Sequence, residues 1–210
     1  MTPQRVLIVR HGESTWNALR KWQGRADPPL SARGESQAAR AALAAPSQGA
    51  FECVVTSSLE RARQTGAIIA ERLGIELGAA LDGLAERDAG EWQGLTRAEI
   101  DAAYPGYLDE DRRPDGYEHD ESVVARASDA LRSVARDTAD GVGDVLVVSH
   151  GGVIHALERA AFGSDTWQRL DNLTGRWFDV HDDMIEPVGD RIALVPDGGP
   201  AIPPPAPGYA

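Results

Sequence analysis

Residues 5–9, RVLIV, form a short unbroken apolar run that leads directly into Arg10 and His11. A run of β-branched and aliphatic residues without polar alternation is typical of a strand that is buried on both faces of a parallel sheet. Similar runs occur at residues 53–57 and 144–149 (DVLVVS). The sequence therefore predicts a central sheet that is covered on both sides.

Helical patterns separate these strands. The predicted helices cover residues 37–45, 59–73, 122–138 and 153–162. Ser31 can cap the first helix, and Gly74 follows the second as a helix-terminating glycine would. Thr96 and Glu99 form a T-x-x-E capping box ahead of a further short helix that ends near Tyr104. Because strands that alternate with helices imply βαβ units, we predict a single α/β domain with three α/β/α layers and a mainly parallel sheet.

The remaining segments are predicted to be two further strands, a long loop and a tail. Residues 177–181 and 191–195 are predicted as two later strands that could pair as a hairpin. Residues 104–121 are polar, interrupted by Pro and Gly and too long for a routine connection, so they are a candidate lid or binding loop. Residues 196–210 are rich in Pro, Gly and Ala, and we expect them to be a flexible tail after a domain that spans residues 1–195.

Composition excludes several classes of protein. The 210 residues include 21 Lys and Arg against 33 Asp and Glu, a net charge of −12, which disfavours nucleic acid as a partner. No stretch approaches the roughly 20 apolar residues that span a bilayer, and the start (MTPQRVLIVRHGEST) is unlike a secretory signal, so a membrane partner is not expected. The single cysteine, Cys53, excludes an internal disulfide and fits the cytoplasm, which is the expected location.

Two histidines follow predicted strands directly. His11 comes after the first strand and His150 after the third, and each is followed by a glycine, Gly12 or Gly151, that lets a ligand approach the backbone. In an open α/β sheet, ligands bind beyond the carboxyl ends of the strands, near the point where the strand order reverses. The sequence therefore predicts a functional site at this edge of the sheet.

Four motifs in the chain resemble those of one family. They are residues 7–14 (LIVRHGES) with Asn17, residues 57–65 (SSLERARQT), residues 84–86 (LAE) with 90–96 (GEWQGLT), and residues 149–151 (SHG). In this order they are similar to the motifs of the histidine phosphatase superfamily, in its phosphoglycerate-mutase-like branch. The resemblance covers residues 6–152 and implies a phosphoglycerate-mutase-like fold. Residues 86–96 are most similar to the broad-specificity and sugar-phosphoglycerate phosphatase members.

The residue types suit transfer of a phosphoryl group. Arg10 and Arg61 can hold the oxygens of a phosphomonoester, which carries close to two negative charges, and a protonated His150 would add another donor. His11, with an ordinary pKa of about 6.5, can offer a neutral ring nitrogen as nucleophile. The resemblance implies that His11 forms a phosphohistidine intermediate.

The departing alkoxide needs a proton. Glu86 is the candidate acid, and then the base for the attacking water, because burial beside phosphate raises the pKa of a carboxyl group. Asp88 and Glu91 are nearby competitors for this role. Arg63 follows Arg61 by two helical positions, so its side chain is expected to point elsewhere.

The substrate contacts are predicted from the same motifs. Asn17 would supply a neutral contact to the phosphate, Gln23 and Gly24 would line the entrance, and Gly151 would let the ligand approach. The expected partner is a small phosphomonoester, with no cofactor and no metal. A homodimer is compatible with the sequence but not derivable from it.

The sequence departs from the family before the long predicted helix. It reads HDES at residues 119–122, where many members have Gly-Gly-Glu-Ser. Arg112 and Arg113 in the candidate lid could contact a substrate carboxylate, although exposed loop charges are the simpler interpretation.

Four functions remain open at this point. The leading one is a metal-independent phosphomonoesterase, because the chain lacks the insertion that lengthens cofactor-dependent mutases between the proton-donor region and the last motif. A phosphoglycerate mutase using the same site is the alternative. The others are a catalytically weak phosphate-binding module and a metallohydrolase, for which the chain lacks H-x-H and H-E-x-x-H spacing.

Overall fold

The computed structural model describes residues 3–138, 143–163 and 168–195. In this part of the chain six strands form one sheet, in the order β3-β2-β4-β1-β5-β6. The strands are β1 (Gln4–Arg10), β2 (Phe51–Ser57), β3 (Glu76–Leu81), β4 (Asp144–Ser149), β5 (Thr174–Val180) and β6 (Ile185–Ala193). Strands β1 to β4 are parallel, whereas β5 runs antiparallel to β1 and to β6. The expected mainly parallel α/β sheet is confirmed.

Helices cover both faces of the sheet. They are α1 (Thr15–Ala18), α2 (Ala32–Ala44), α3 (Glu60–Leu73), α4 (Arg97–Ala103), α5 (Asp120–Asp137) and α6 (Gly151–Phe162). Val6 and Ile8 of β1 pack with α5 and α6, whereas Leu7 and Val9 pack with α2 and α3. Successive strand residues point to opposite faces, so the unbroken apolar run of β1 fills two cores at once.

The strand order brings the two motif histidines together. β1 and β4 are parallel neighbours, with Arg10 paired to Ser149 at their carboxyl ends. The next residues along the chain, His11 and His150, therefore leave the sheet side by side. The backbone N–H of His11 donates to the carbonyl of Ser149 at 3.0 Å.

Local signals in the sequence correctly placed three helix ends. Ser31 caps α2 by accepting from the backbone N–H of Gly34 at 3.1 Å, and Thr96 with Glu99 forms the expected capping box on α4. Gly74 ends α3 with φ 67°, in the left-handed region. These features depend on neighbouring residues only, which is why the sequence predicts them.

The edges of the sheet differ from the expectation. β3 is missing from the predicted set, and the last strand was placed at residues 191–195, whereas β6 begins at Ile185. Both are edge strands with mostly exposed or half-exposed residues, and β6 contains Pro187 and Gly189. An edge strand buries little apolar surface, so its sequence lacks the pattern that marks a central strand.

The candidate lid packs against the domain. Its last two residues, Asp120 and Glu121, belong to α5, and Glu121 is exposed. Tyr104, Tyr107, Leu108 and Tyr117 pack on an aromatic cluster around Trp22 and Trp92. Its closing as a lid stays a prediction, and the expected flexible tail, residues 196–210, lies outside the described residues.

None of the helices in the described ranges is both long and apolar enough to cross a membrane.

Candidate active site

His11 is buried and held in one tautomer. The residue is 2% exposed, and its Nδ1 is 2.6 Å from the carbonyl oxygen of Gly12. A carbonyl only accepts, so Nδ1 carries the proton and Nε2 keeps its lone pair, which accepts from Arg61 Nε at 3.2 Å. Burial, followed by the charges of Arg61 and Arg10, lowers the pKa of His11 well below its ordinary value. The ring is therefore neutral, with its lone pair on Nε2.

Distant residues hold the backbone around His11. Gly12 N–H donates to Thr65 Oγ1 at 3.1 Å, and Asn172 Nδ2 donates to the His11 carbonyl at 2.8 Å. Asn172 also lies 3.5 Å from Asn17 Oδ1. The sequence analysis missed Asn172, which is 161 residues from His11 and outside the four motifs.

Two glycines let the first turn of α2 touch this loop. A Cβ on Gly12 would lie 2.7 Å from the carbonyl oxygen of Gly34, and one on Gly34 would lie 2.0 Å from the carbonyl oxygen of Glu13. Such distances are far below a normal contact, so both positions require glycine. Gly12 was singled out in the sequence, but Gly34 was not.

Two arginines flank His11, of which Arg10 is half-buried and Arg61 is fully buried. Arg10 Nη1 donates to the carbonyl of Leu170 at 2.6 Å, and in the described residues its buried Nε has no hydrogen-bond partner. Arg61 is fully buried, and its two Nη atoms donate to the carbonyls of Ala26 (2.8 Å) and Gly24 (3.1 Å). Burial lowers the pKa of Arg61 to about 10, so it remains charged at neutral pH. Arg63, on the same helix, is exposed as expected.

His150 lies beside His11, with ring centroids 5.1 Å apart. It is fully buried, and its Nε2 is 2.8 Å from Ser57 Oγ. Burial, followed by the charge of Arg61, lowers the pKa of His150 well below its ordinary value. Without a ligand the His150 ring is therefore neutral, because a cation there would be desolvated next to other cations. The expected protonated His150 beside bound phosphate stays a prediction.

Glu86 joins the third motif to the fourth. It is 7% exposed; Oε1 accepts from the backbone N–H of Arg87 at 2.8 Å and Oε2 from that of Gly152 at 3.1 Å. The competing carboxylates are bonded elsewhere, Asp88 to the Gly90 N–H and Glu91 to the Tyr104 hydroxyl. Glu86 is therefore the carboxylate that the fold orients at the site.

Charged side chains brace the loop that carries Glu86. Arg87 donates to Asp120 at 2.7 Å and to the Gly152 carbonyl at 3.0 Å, and Arg159 holds the same Asp120 carboxylate. Burial alone would raise the pKa of Asp120, but hydrogen bonds from Arg159 and Arg87 outweigh it and lower that pKa to about 2.

Arg126 braces the other side of the same loop. It donates to the carbonyls of Gly83 at 2.9 Å and Ala85 at 2.5 Å, and its guanidinium pairs with Glu118. Glu118 also accepts from the backbone N–H of Asp88 at 3.1 Å, so the end of the candidate lid is tied to the Glu86 loop.

Of the other expected substrate contacts, Gln23 and Gly24 line a cleft at the site, whereas Asn17 and Gly151 are not among its lining residues. Asn17 Oδ1 accepts from the Ser14 N–H at 3.1 Å, and Gln23 Oε1 accepts from the Ser14 hydroxyl at 2.6 Å. Gly24 has φ 53°, and a Cβ there would lie 2.8 Å from the backbone nitrogen of Ala89. Gly151 is buried as the first residue of α6.

A small cleft opens onto the site. It is lined by Arg10, His11, Trp22, Gln23, Gly24, Glu86, Arg87 and Ala89. Arg61 and His150 are fully buried behind this lining, whereas Arg112 and Arg113 are paired with Glu110 and Asp111 within the candidate lid. In the described residues, no group of three or more His, Cys, Asp and Glu side chains could hold a metal ion.

Comparison with known families decides the classification. Residues 6–185 match the model of the histidine phosphatase superfamily, branch 1. The chain belongs to the histidine phosphatase superfamily. Its expected enzyme class, a histidine phosphatase and hence a hydrolase, is confirmed by relatives that are named phosphatases.

Three relatives illustrate the range of this superfamily. The chain is 36% identical to an uncharacterized phosphatase, PhoE, of Bacillus subtilis over 76% of this chain and 78% of the relative. It is 32% identical to the glucosyl-3-phosphoglycerate phosphatase of Mycobacterium tuberculosis, over 84% of this chain and 88% of the relative. It is also 32% identical to a probable phosphoglycerate mutase, GpmB, of Escherichia coli, over 77% and 76%.

A solved histidine phosphatase has the same fold. The mycobacterial glucosyl-3-phosphoglycerate phosphatase in complex with VO3 matches this chain with a TM-score of 0.73 and 30% identity, over 88% of this chain and 97% of that one. The phosphoglycerate-mutase-like fold implied by the motifs is thereby confirmed.

Proposed function

We propose that this histidine phosphatase is a metal-independent phosphomonoesterase that works through a phosphohistidine on His11. The observation that carries the proposal is the neutral His11 ring, whose Nε2 lies against the buried cation of Arg61. A neutral imidazole is a nucleophile, and a buried guanidinium stabilises charge on a phosphoryl group.

Substrate binding prepares the nucleophile. The phosphoryl oxygens take the free Nε–H of Arg10 and draw the Nε–H of Arg61 away from His11 Nε2, which releases the lone pair for attack. Asn17 adds a neutral contact to the phosphoryl group. Gln23, Gly24 and the Gly151 backbone shape the approach.

The first step forms the phosphoenzyme. The bond from His11 Nε2 to phosphorus forms as the ester P–O bond breaks, and protonated Glu86 gives its proton to the departing alkoxide. The positive charge on the substituted ring is stabilised by the hydrogen bond from Nδ1–H to the Gly12 carbonyl.

The second step releases phosphate. Glu86, now a carboxylate, accepts a proton from water while the water oxygen attacks phosphorus and the P–N bond breaks. His11 returns to its neutral state and Glu86 to its acid form, so protons and charge balance over the cycle.

Trapping the intermediate tests this mechanism. Wild type quenched in alkali with ³²P-labelled substrate should contain an acid-labile phosphoenzyme, and His11→Ala should lack both the label and turnover while remaining folded. Normal turnover by His11→Ala would disprove the mechanism. Activity should survive EDTA and fall with vanadate; a loss with EDTA that zinc restores would favour the metallohydrolase.

For the substrate we propose a small phosphorylated sugar or sugar acid. The relative that hydrolyses glucosyl-3-phosphoglycerate, by its name, supports this class. Measuring kcat/KM on sugar phosphates, phosphoglycerates and nucleotides tests this substrate class. A clear preference for nucleotides would contradict the proposal.

The mutase alternative is supported by the similarity to GpmB. A mutase must keep water from its phosphohistidine, which requires a closed cover over the site. With 3-phosphoglycerate and a 2,3-bisphosphoglycerate primer, we expect phosphate release to match or exceed isomerisation to 2-phosphoglycerate. Rapid primer-dependent isomerisation with negligible phosphate release would establish the mutase.

A further inference from the structure

Ser57 contacts His150 at the base of the site. It is the last residue of β2, fully buried, with Oγ 2.8 Å from Nε2 of His150. Strand β2 is the parallel neighbour of β4, so the ends of the two strands place this serine next to the histidine. Nothing in the proposed steps uses the Ser57 side chain directly.

The hydrogen bonds of the Ser57 hydroxyl determine which atom donates. The backbone N–H of Leu59 donates to Ser57 Oγ at 3.2 Å, which uses one lone pair. Among the described residues, His150 Nε2 is the only other partner of this hydroxyl. If Nε2 carried the ring proton, the hydroxyl proton would be buried without an acceptor, which is unfavourable. The hydroxyl therefore donates to Nε2.

This bond has a consequence for the other ring nitrogen. Because burial and Arg61 keep the pKa of His150 low, the ring is neutral and carries one proton. With Nε2 as acceptor, that proton is on Nδ1. Nδ1 is buried and has no hydrogen-bond partner in the described part of the chain. A buried N–H without an acceptor, beside His11 and two arginines, fits an incoming anion.

We propose that Ser57 is a positioning residue that fixes the tautomer of His150, so that Nδ1–H donates to an oxygen of the transferred phosphoryl group. The identity of this ligand rests on the proposed function, whereas the tautomer does not. His150 then donates as a neutral ring and needs no protonation before substrate binds.

The test reads the tautomer directly. ¹⁵N NMR of the histidine rings in the full-length enzyme should show His150 with a protonated Nδ1 and an unprotonated Nε2, assigned by loss of the signals in His150→Gln. Ser57→Ala should abolish this single tautomer, lower kcat/KM about tenfold or more, and weaken vanadate inhibition to a similar degree, as expected for one misplaced donor. Ser57→Thr keeps a hydroxyl and should therefore keep the single tautomer, kcat/KM and vanadate inhibition close to those of wild type.

Ser58 provides the matched control. It is the adjacent serine, it is partly exposed, and its side chain makes no hydrogen bond to the described residues. Ser58→Ala should therefore leave the His150 spectrum and the kinetics unchanged.

Each outcome has a defined meaning. A proton on Nε2 of wild-type His150 would overturn the proposal whatever the activity, and this reading remains available if Ser57→Ala does not fold. An unchanged tautomer in folded Ser57→Ala would overturn it as well. If wild type shows the Nδ1–H tautomer but hydrolyses no phosphomonoester, the proposed function fails and the Ser57 bond stands.

Discussion

The Glu86 carboxylate accepts a hydrogen bond from the backbone N–H of Gly152 at 3.1 Å, so the proposed proton donor is held by the first turn of α6. The same turn follows His150, so the proposed proton donor and the proposed phosphate-binding histidine both adjoin the start of α6. A Cβ on Gly152 would lie 2.2 Å from Glu86 Oε1. Glycine at this position is therefore part of how the site holds its carboxylate.

Gly152→Ala is expected to displace Glu86 and lower kcat on alkyl phosphates by about 10²-fold, the scale of lost general acid catalysis. Steady-state kinetics measure this effect. Gly78→Ala on the edge strand β3 is the control, because a Cβ there would lie 3.4 Å from its nearest neighbour, an ordinary contact. An equal kcat for the two variants would argue against a catalytic role for the close contact between Gly152 and Glu86.

Glu86→Gln should slow hydrolysis of alkyl phosphates strongly but that of p-nitrophenyl phosphate much less. A phenolate of low pKa can depart without a proton, whereas an alkoxide cannot. Comparing kcat on both substrates tests the role as an acid. An equal loss on both would indicate that Glu86 positions the substrate instead.

Arg61→Ala should reduce kcat by about 10²–10³-fold, the typical cost of removing one charge-assisted donor from a desolvated site. Arg63→Ala, on the same helix but exposed, should change kcat little. Thermal melts establish that both variants are folded. Similar losses from the two substitutions would mean that the second motif does not deliver its arginine to phosphate.

Asn172 should act on phosphate through Asn17. Its Nδ2 lies against the His11 carbonyl and Asn17 Oδ1, so under the proposed function the NH₂ group of Asn17 is the part that donates to a bound phosphoryl group. Asn17→Ala and Asn172→Ala should each weaken vanadate inhibition by about tenfold, the value of one hydrogen bond.

The double variant tests the coupling between these residues. Vanadate should inhibit the double variant no more weakly than it inhibits Asn17→Ala alone, because the effects of substituting two contacting residues are not additive. Gln168→Ala, an exposed amide in the same connection, is the control. A hundredfold loss in the double variant would show that the two residues act independently.

Asp120 should make stability depend on pH in acid. Its folded pKa of about 2 lies below the ordinary value of 3.8, so the ionised form stabilises the fold above about pH 4 and this contribution is lost as the pH falls through 2. Asp120→Asn should unfold at lower urea than wild type at pH 7, and the difference should narrow towards pH 2. A constant difference across this range would mean that the carboxylate charge contributes nothing.

The sequence by itself determined the features that depend on neighbouring residues. Apolar runs mark the central strands because both of their faces are buried, and the Ser31 and Thr96 caps act within one helical turn. The motif residues Arg10, His11, Arg61, Glu86 and His150 were found because four ordered motifs resemble those of the histidine phosphatase superfamily. Their positions in the fold are those expected, while their chemical roles remain predictions.

Only the tertiary structure determined which distant residues hold the site residues in place and which protonation state His150 has. Asn172 reaches His11 across 161 residues, Gly34 touches Gly12 between two elements, and Ser57 meets His150 between neighbouring strands. No local pattern encodes such pairs, because the chain brings them together only after the sheet has formed. The neutral state of His150 has the same origin, since its pKa reflects burial and cations contributed by distant segments.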